Sequence, residues 1–150
     1  VAPEAILAQA ALETGWGKHV MPDVRGENSF NLFGIKAGGG WQGEQVSRQT
    51  LEFENGVPRP ETAKFRAYTN VAATFSDYAD FLTGNPRYRD VSGHGNDTAG
   101  FAAALQKAGY ATDPQYADKI TRVLESPTMQ SVIRDLKKTA ARPITAQLSL

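Results

Sequence analysis

The chain has 150 residues, 41% of them hydrophobic and 21% charged, which suits one globular domain able to bury a core without help from disulfides or metals. Sixteen basic residues against sixteen acidic ones leave no net field, so nothing in the charge argues for nucleic acid or for an anionic membrane surface; no nucleic acid and no membrane insertion is expected, and an uncharged or mixed-charge polymer such as a glycan fits better. Without cysteine there is no disulfide framework, thiolate metal site or thiol nucleophile, and no apolar run reaches the roughly 20 residues of a membrane span.

The opening Val-Ala-Pro-Glu-Ala-Ile carries no signal-peptide pattern and already reads as helix, as in an excised domain. Pro3 suits a first helical position, Glu4 complements the helix dipole, and Ile6, Leu7, Ala10 and Ala11 form a stripe at helical spacing, so a helix is expected over Pro3 to Thr14. The Gly15-Trp16-Gly17 word stops it. A loop, Lys18 to Asn28, leads to the apolar turn Phe30 to Ile35, and the triple glycine Gly38 to Gly40 marks a flexible joint. Val46 to Phe53 is rich in strand formers, and Asn55-Gly56 signals a hairpin. Pro58 and Pro60 are expected to lengthen the connection before a second strand near Thr62 to Tyr68, with Ala63, Phe65 and Ala67 on one face.

From Asn70 the chain is helical, with Phe75, Tyr78 and Leu82 on one side and Gly84-Asn85-Pro86 as terminator. After the glycine-rich loop Ser92 to Asn96, Asp97 or Thr98 caps a helix carrying Phe101, Leu105 and Ala108, and Asp113-Pro114 opens one carrying Tyr116, Ile120 and Val123. Ser126-Pro127 opens the last, which buries Met129, Val132, Ile133 and Leu136. The chain is thus an α+β, mainly α-helical domain over residues 1–140, with a small antiparallel lobe at about 41–68; 141–150, past Arg142-Pro143, is a mobile tail.

Glu13 lies seven positions after Ile6, about 20 degrees from it round the helix, so its carboxyl leaves from the edge of the apolar face. Partial burial follows, and a half-desolvated carboxyl that keeps its proton near neutral pH suits general acid catalysis. Position alone does not carry this, since a glutamate in a last helical turn is ordinarily a solvated charge. His19 and His94 are isolated, with no metal-ligand spacing, so no metal and no cofactor is expected.

Three words in order add to this: Leu7-Ala8-Gln9-Ala10-Ala11-Leu12-Glu13-Thr14-Gly15-Trp16-Gly17, then Asn31-Leu32-Phe33-Gly34-Ile35-Lys36, then Gly109-Tyr110-Ala111-Thr112-Asp113-Pro114-Gln115-Tyr116-Ala117. Together they resemble the bacterial N-acetylglucosaminidases of glycoside hydrolase family 73, over about Val1 to Leu124. Within that family the flagellar members are similar also at Phe53-Glu54-Asn55-Gly56 and Ser76-Asp77-Tyr78. The family usually has a helix before the position of Val1. Thr14 stands where serine is commoner.

The resemblance implies a lysozyme-like fold in which a helical lobe and a small β-hairpin lobe flank a cleft. It implies endo-acting hydrolysis of the β-1,4 bond between N-acetylglucosamine and N-acetylmuramic acid in peptidoglycan, with Glu13 as the acid. Glu52 matches the second carboxylate best and Glu54 is its rival; strand alternation puts both on one face, opposite Leu51 and Phe53. Tyr110 matches a tyrosine that holds the acetamido group or the transition state. Trp16, Phe30 and Phe33 are candidates for stacking on sugar rings, and Asn31, Lys36, Asp77 and Tyr116 for other substrate contacts. The resemblance also implies a periplasmic location and flagellar rod proteins as partners, through an N-terminal domain upstream of this chain. Water activation by Glu52 and attack by the substrate's own acetamido group both remain open, as do a lytic transglycosylase and a non-catalytic wall-binding module.

Overall fold

A computed structural model describes residues 3–38 and 40–140. Helix α1 (Pro3–Thr14) is followed by a long connection, the strands β1 (Gln45–Glu54) and β2 (Val57–Arg66), and then α2 (Val71–Gly84). A 3-10 turn (Pro86–Tyr88) leads to α3 (Thr98–Lys107), α4 (Tyr116–Glu125) and α5 (Pro127–Ala140). Among the described residues no helix is long and apolar enough to cross a membrane.

The helical starts follow the capping residues. Asn70 Oδ1 accepts from the Ala73 amide at 2.8 Å, Asp97 Oδ1 from Gly100 at 3.0 Å, and Ser126 Oγ from Met129 at 3.2 Å, each satisfying an amide that the first helical turn leaves unpaired. The main core gathers Phe33, Ile35, Tyr78, Phe101, Leu105 and Ile120, where α1 packs on α4 and α4 on α3.

Two expected stripes shift. The side of α1 that is fully buried is Ala5, Ala8, Gln9 and Ala11, with Ile6, Leu7 and Ala10 only half-buried at its flanks. Small side chains on that face let α1 and α4 approach closely. On α5, Met129 and Ile133, four residues apart, pack with Ala11, whereas Val132 and Leu136 remain 39% and 48% exposed on the neighbouring ridge. Phe75, expected inward, is also exposed, although its ring meets Phe33 edge-on with centroids 5.4 Å apart. The 141–150 segment lies outside the described residues, as does Gly39 in the triple glycine.

The small lobe is a two-stranded antiparallel ribbon running in unbroken register from Gln45 opposite Arg66 to Glu54 opposite Val57. Asn55 and Gly56 alone make the turn, with φ of 53° and 78°, the left-handed pair whose twist matches a hairpin. Pro58 and Pro60 do not lengthen the connection; they sit inside β2, opposite Phe53 and Leu51. The Phe53 amide points away from β2 and donates to Thr112 Oγ1 at 2.8 Å, so its pair is one in which no ladder bond is made and proline loses nothing. At the base of the lobe the Arg66 amide donates to the Ile35 carbonyl and the Ala37 amide to that of Lys64, tying the Phe30–Ile35 turn to β2.

Leu105 is fully buried, whereas Leu51 on the hairpin is 57% exposed. Leu105→Ala is therefore expected to cost about 2–5 kcal/mol and Leu51→Ala less than about 0.5 kcal/mol, read from urea unfolding midpoints of the two variants.

Candidate active site

The cleft between the lobes encloses about 790 Å³, and its walls include Glu13, Asn31, Lys36, Glu52, Tyr110 and Tyr116. Glu13 reaches it from the last turn of α1, on the row that also carries Ala5 and Gln9 at four-residue spacing. That row faces α4. Glu13 Oε1 accepts a hydrogen bond from the Tyr116 hydroxyl at 2.7 Å. Its other oxygen, Oε2, lies over the backbone of Gly34: a Cβ added there would stand 2.7 Å from it, and Gly34 holds a φ of 62°. Both facts call for glycine. Loss of water around the carboxyl is the dominant influence on its proton; it outweighs the Tyr116 hydrogen bond and pushes the pKa up to about 7.

Glu52 faces the same cleft from β1 in the opposite electrostatic condition. Lys36 Nζ lies 2.5 Å from Oε1, and the Thr112 hydroxyl donates to Oε2 at 2.7 Å. Partial burial raises its pKa, but these two hydrogen bonds and the lysine charge outweigh that and hold the carboxyl below its usual range. The cleft thus presents one carboxyl that retains its proton near neutrality and one that has lost it. Glu54, the rival on the same strand face, is at the hairpin tip, mostly exposed and paired with Arg59 at 3.5 Å, and is not on the cleft wall.

Tyr110 lines the cleft, but its hydroxyl already donates to the Phe33 carbonyl at 2.5 Å, and its ring stacks on Tyr116 with centroids 6.0 Å apart. Tyr116 is buried at the cleft wall, with its hydroxyl donating to Glu13. Asn31 is buried, and its amide is consumed by the backbone: Nδ2 donates to the carbonyls of Ile35 and Arg66, and Oδ1 accepts from Ile35. It shapes the floor. Lys36 holds Glu52.

Four of the expected substrate contacts are not on the cleft wall. Phe33 is fully buried in the core and offers no face to a sugar. Trp16 is 43% exposed but outside the cleft wall, carried away by the left-handed turn over Gly15 to Gly17, and Phe30 is also off the wall. Asp77 pairs with Arg66 at 2.9 Å and accepts from the Tyr68 hydroxyl, which makes it an anchor for the base of the hairpin. The aromatics on the wall are instead Phe65, Phe81, Tyr88, Tyr110 and Tyr116.

Sequence reasoning missed Gln9 and Thr112. Gln9 stands alone as a polar residue in an alanine-rich stretch, one helical turn before Glu13, and that spacing is a usable signal. Thr112 has none, because its partner is 60 residues away.

The folded protein keeps the Glu13 proton up to about 7, while the unfolded chain releases it near 4.5. Stability therefore falls as pH rises from about 4.5 to about 7 and is level above that. Glu13→Gln removes this penalty and should stabilise the protein at pH 8 by on the order of 3 kcal/mol more than at pH 4, measured by thermal unfolding at both pH values. Gly34→Ala should displace the Glu13 carboxyl and lose activity at least tenfold, on the order expected when an acid leaves its geometry, while circular dichroism still shows the folded spectrum.

The family model described as mannosyl-glycoprotein endo-beta-N-acetylglucosaminidase matches residues 1–128. Among characterised relatives, the peptidoglycan hydrolase FlgJ of Vibrio cholerae is 52% identical over 118 residues, covering 79% of this chain and 35% of that protein. The exo-glucosaminidase LytG of Bacillus subtilis is 38% identical, covering 83% of this chain and 44% of that protein. The crystal structure of a peptidoglycan hydrolase from Sphingomonas sp. A1 superposes with a TM-score of 0.77 at 42% identity, covering 93% of this chain and 83% of that one. The chain thus spans less than half the length of FlgJ and of LytG, and within that span the helical lobe, the hairpin lobe and the cleft are those of a lysozyme-like hydrolase. The chain belongs to the glucosaminidase family of glycoside hydrolases.

Proposed function

We propose that the chain hydrolyses the β-1,4 bond between N-acetylglucosamine and N-acetylmuramic acid within peptidoglycan strands, with Glu13 as general acid and Glu52 as the second carboxylate. The observation that carries this reading is the opposite protonation of the two groups in one cleft, the pattern that lets two carboxylates divide acid and base work. Glu13 gives its proton to the leaving glycosidic oxygen. Positive charge then grows on the sugar ring, and the Glu52 carboxylate, held by Lys36 and Thr112, stabilises it and polarises the incoming water. Tyr110 borders the same space and limits how the acetamido group sits.

The hydrolytic unit we assign is 1–140, with 41–68 as the smaller lobe. We further propose that this action on the wall takes place in the periplasm and serves flagellar rod assembly, with rod proteins as partners; the FlgJ relatives, named as peptidoglycan hydrolases, support the wall as the substrate.

Digestion of purified peptidoglycan followed by mass spectrometry tests the reaction: a reducing N-acetylglucosamine end is expected, whereas an anhydro-muramyl end would make the chain a lytic transglycosylase and fragment-free binding would make it a wall-binding module. Glu13→Gln should lower turnover by about 10²–10⁴-fold. The rate should fall as pH rises through about 7, where Glu13 loses its proton, and fall again in acid below the ordinary carboxylate range, where Glu52 gains one; a pH profile of kcat/KM reads both limbs.

A further inference from the structure

Behind Glu13 lies a buried chain of hydrogen bonds that the proposed reaction does not use directly. The Tyr78 hydroxyl on α2 donates to Gln9 Oε1, Gln9 Nε2 donates to the Tyr116 hydroxyl oxygen at 3.1 Å, and the Tyr116 hydroxyl donates to Glu13 Oε1 at 2.7 Å. Gln9 has no exposed surface, and both ends of its amide are occupied. All three bonds run the same way. Because the Tyr116 oxygen accepts a hydrogen bond from Gln9, its own O–H turns toward Glu13.

We propose that Gln9, held by Tyr78, is a positioning residue that directs the Tyr116 hydroxyl at Glu13 Oε1 and so confines the acidic proton to Oε2, the oxygen beside the cleft residue Gly34. The inference rests on the reading of Glu13 as the general acid. An oxygen that already accepts a strong hydrogen bond is the less basic of the two in a carboxyl, so the proton resides on the other. Oε2 is the oxygen over the Gly34 backbone, and Gly34 lies on the cleft wall. A proton on Oε1 would face Tyr116 and the interior, out of reach of a glycosidic oxygen. The relay thus selects which face of the carboxyl is armed.

The titratable groups electrostatically coupled to Glu13 are Tyr78 from α2, Tyr110 from the loop before α4, and Tyr116 from α4. Burial raises all three hydroxyls well above their ordinary range, so they stay neutral while Glu13 titrates.

The test is a pH profile of kcat and KM on soluble peptidoglycan fragments for Gln9→Met, Tyr78→Phe and Glu13→Gln. Gln9→Met frees the Tyr116 hydroxyl to accept from Glu13, which favours the protonated acid but turns its proton inward. The expected result is a kcat about tenfold lower, an unchanged KM, and a basic limb moved to higher pH, with Tyr78→Phe showing a smaller change of the same sign. A merely structural role would let water reach Glu13 and move that limb toward the ordinary carboxylate value, to lower pH. A limb that moves down or stays in place in both variants, or a wild-type kcat, overturns the proposal. Should Gln9→Met fail to fold, Tyr78→Phe, which leaves the Gln9 amide in place, decides by the same criteria. Turnover retained by Glu13→Gln would defeat the reading of Glu13 itself; loss of turnover there, beside unaltered Gln9 and Tyr78 variants, would defeat only the relay.

Discussion

The site depends on one constraint: a carboxyl on α1 is held between α4 and the backbone of Gly34 with a single hydroxyl donor for company. Water solvates an ionised carboxylate far better than one phenol does, so removing water favours the neutral acid. The buried face of α1 goes with that exclusion: α1 packs on α4, whose Tyr116 reaches Glu13, while Ala11 packs with Met129 and Ile133 of α5. The same close packing leaves no space for a side chain at position 34. The raised proton affinity of Glu13 is a product of burial more than of added polar groups.

The second carboxylate is arranged by the opposite means. Glu52 sits on a ribbon whose residues are mostly exposed, and it is kept charged by partners instead of being neutralised by burial. Lys36 comes from the segment that follows the Phe30–Ile35 turn, and Thr112 from the loop between α3 and α4, so the three meet from parts of the chain far apart in sequence. Thr112 accepts the Phe53 amide as well as donating to Glu52, which makes one hydroxyl a direct bond between the tip half of the ribbon and the helical lobe. At the other end of the ribbon, Arg66 pairs with Asp77 and lies over the rings of Trp41 and Phe81 at 4.8 and 5.4 Å. The lobe is pinned at its base and touched near its tip.

Much of the helical frame could be read along the chain because its signals are local. Asn70, Asp97 and Ser126 cap the helices whose starts they mark, and Asn55-Gly56 turns the hairpin where its dipeptide says it should. Reading failed where the third dimension decides. Phe33 has the composition of a sugar platform but is enclosed by Phe75 and Tyr78, while Val132 and Leu136 have the spacing of a core ridge with no described element above them. Glu52 and Glu54 were inseparable by alternation, since both point to one face. What separates them is height along the ribbon relative to the cleft, and register with distant residues sets that height.

The two prolines of β2 have a consequence beyond the turn. A lone ribbon exposes two open edges, and ten-residue strands are long enough to recruit a neighbour's backbone. Pro58 and Pro60 occupy positions whose amides would point outward from β2, so the outer half of that edge lacks the donors another molecule would need, and the Ile35–Ala37 segment covers the inner half. The ribbon can therefore reach across a glycan while resisting self-association into intermolecular sheets.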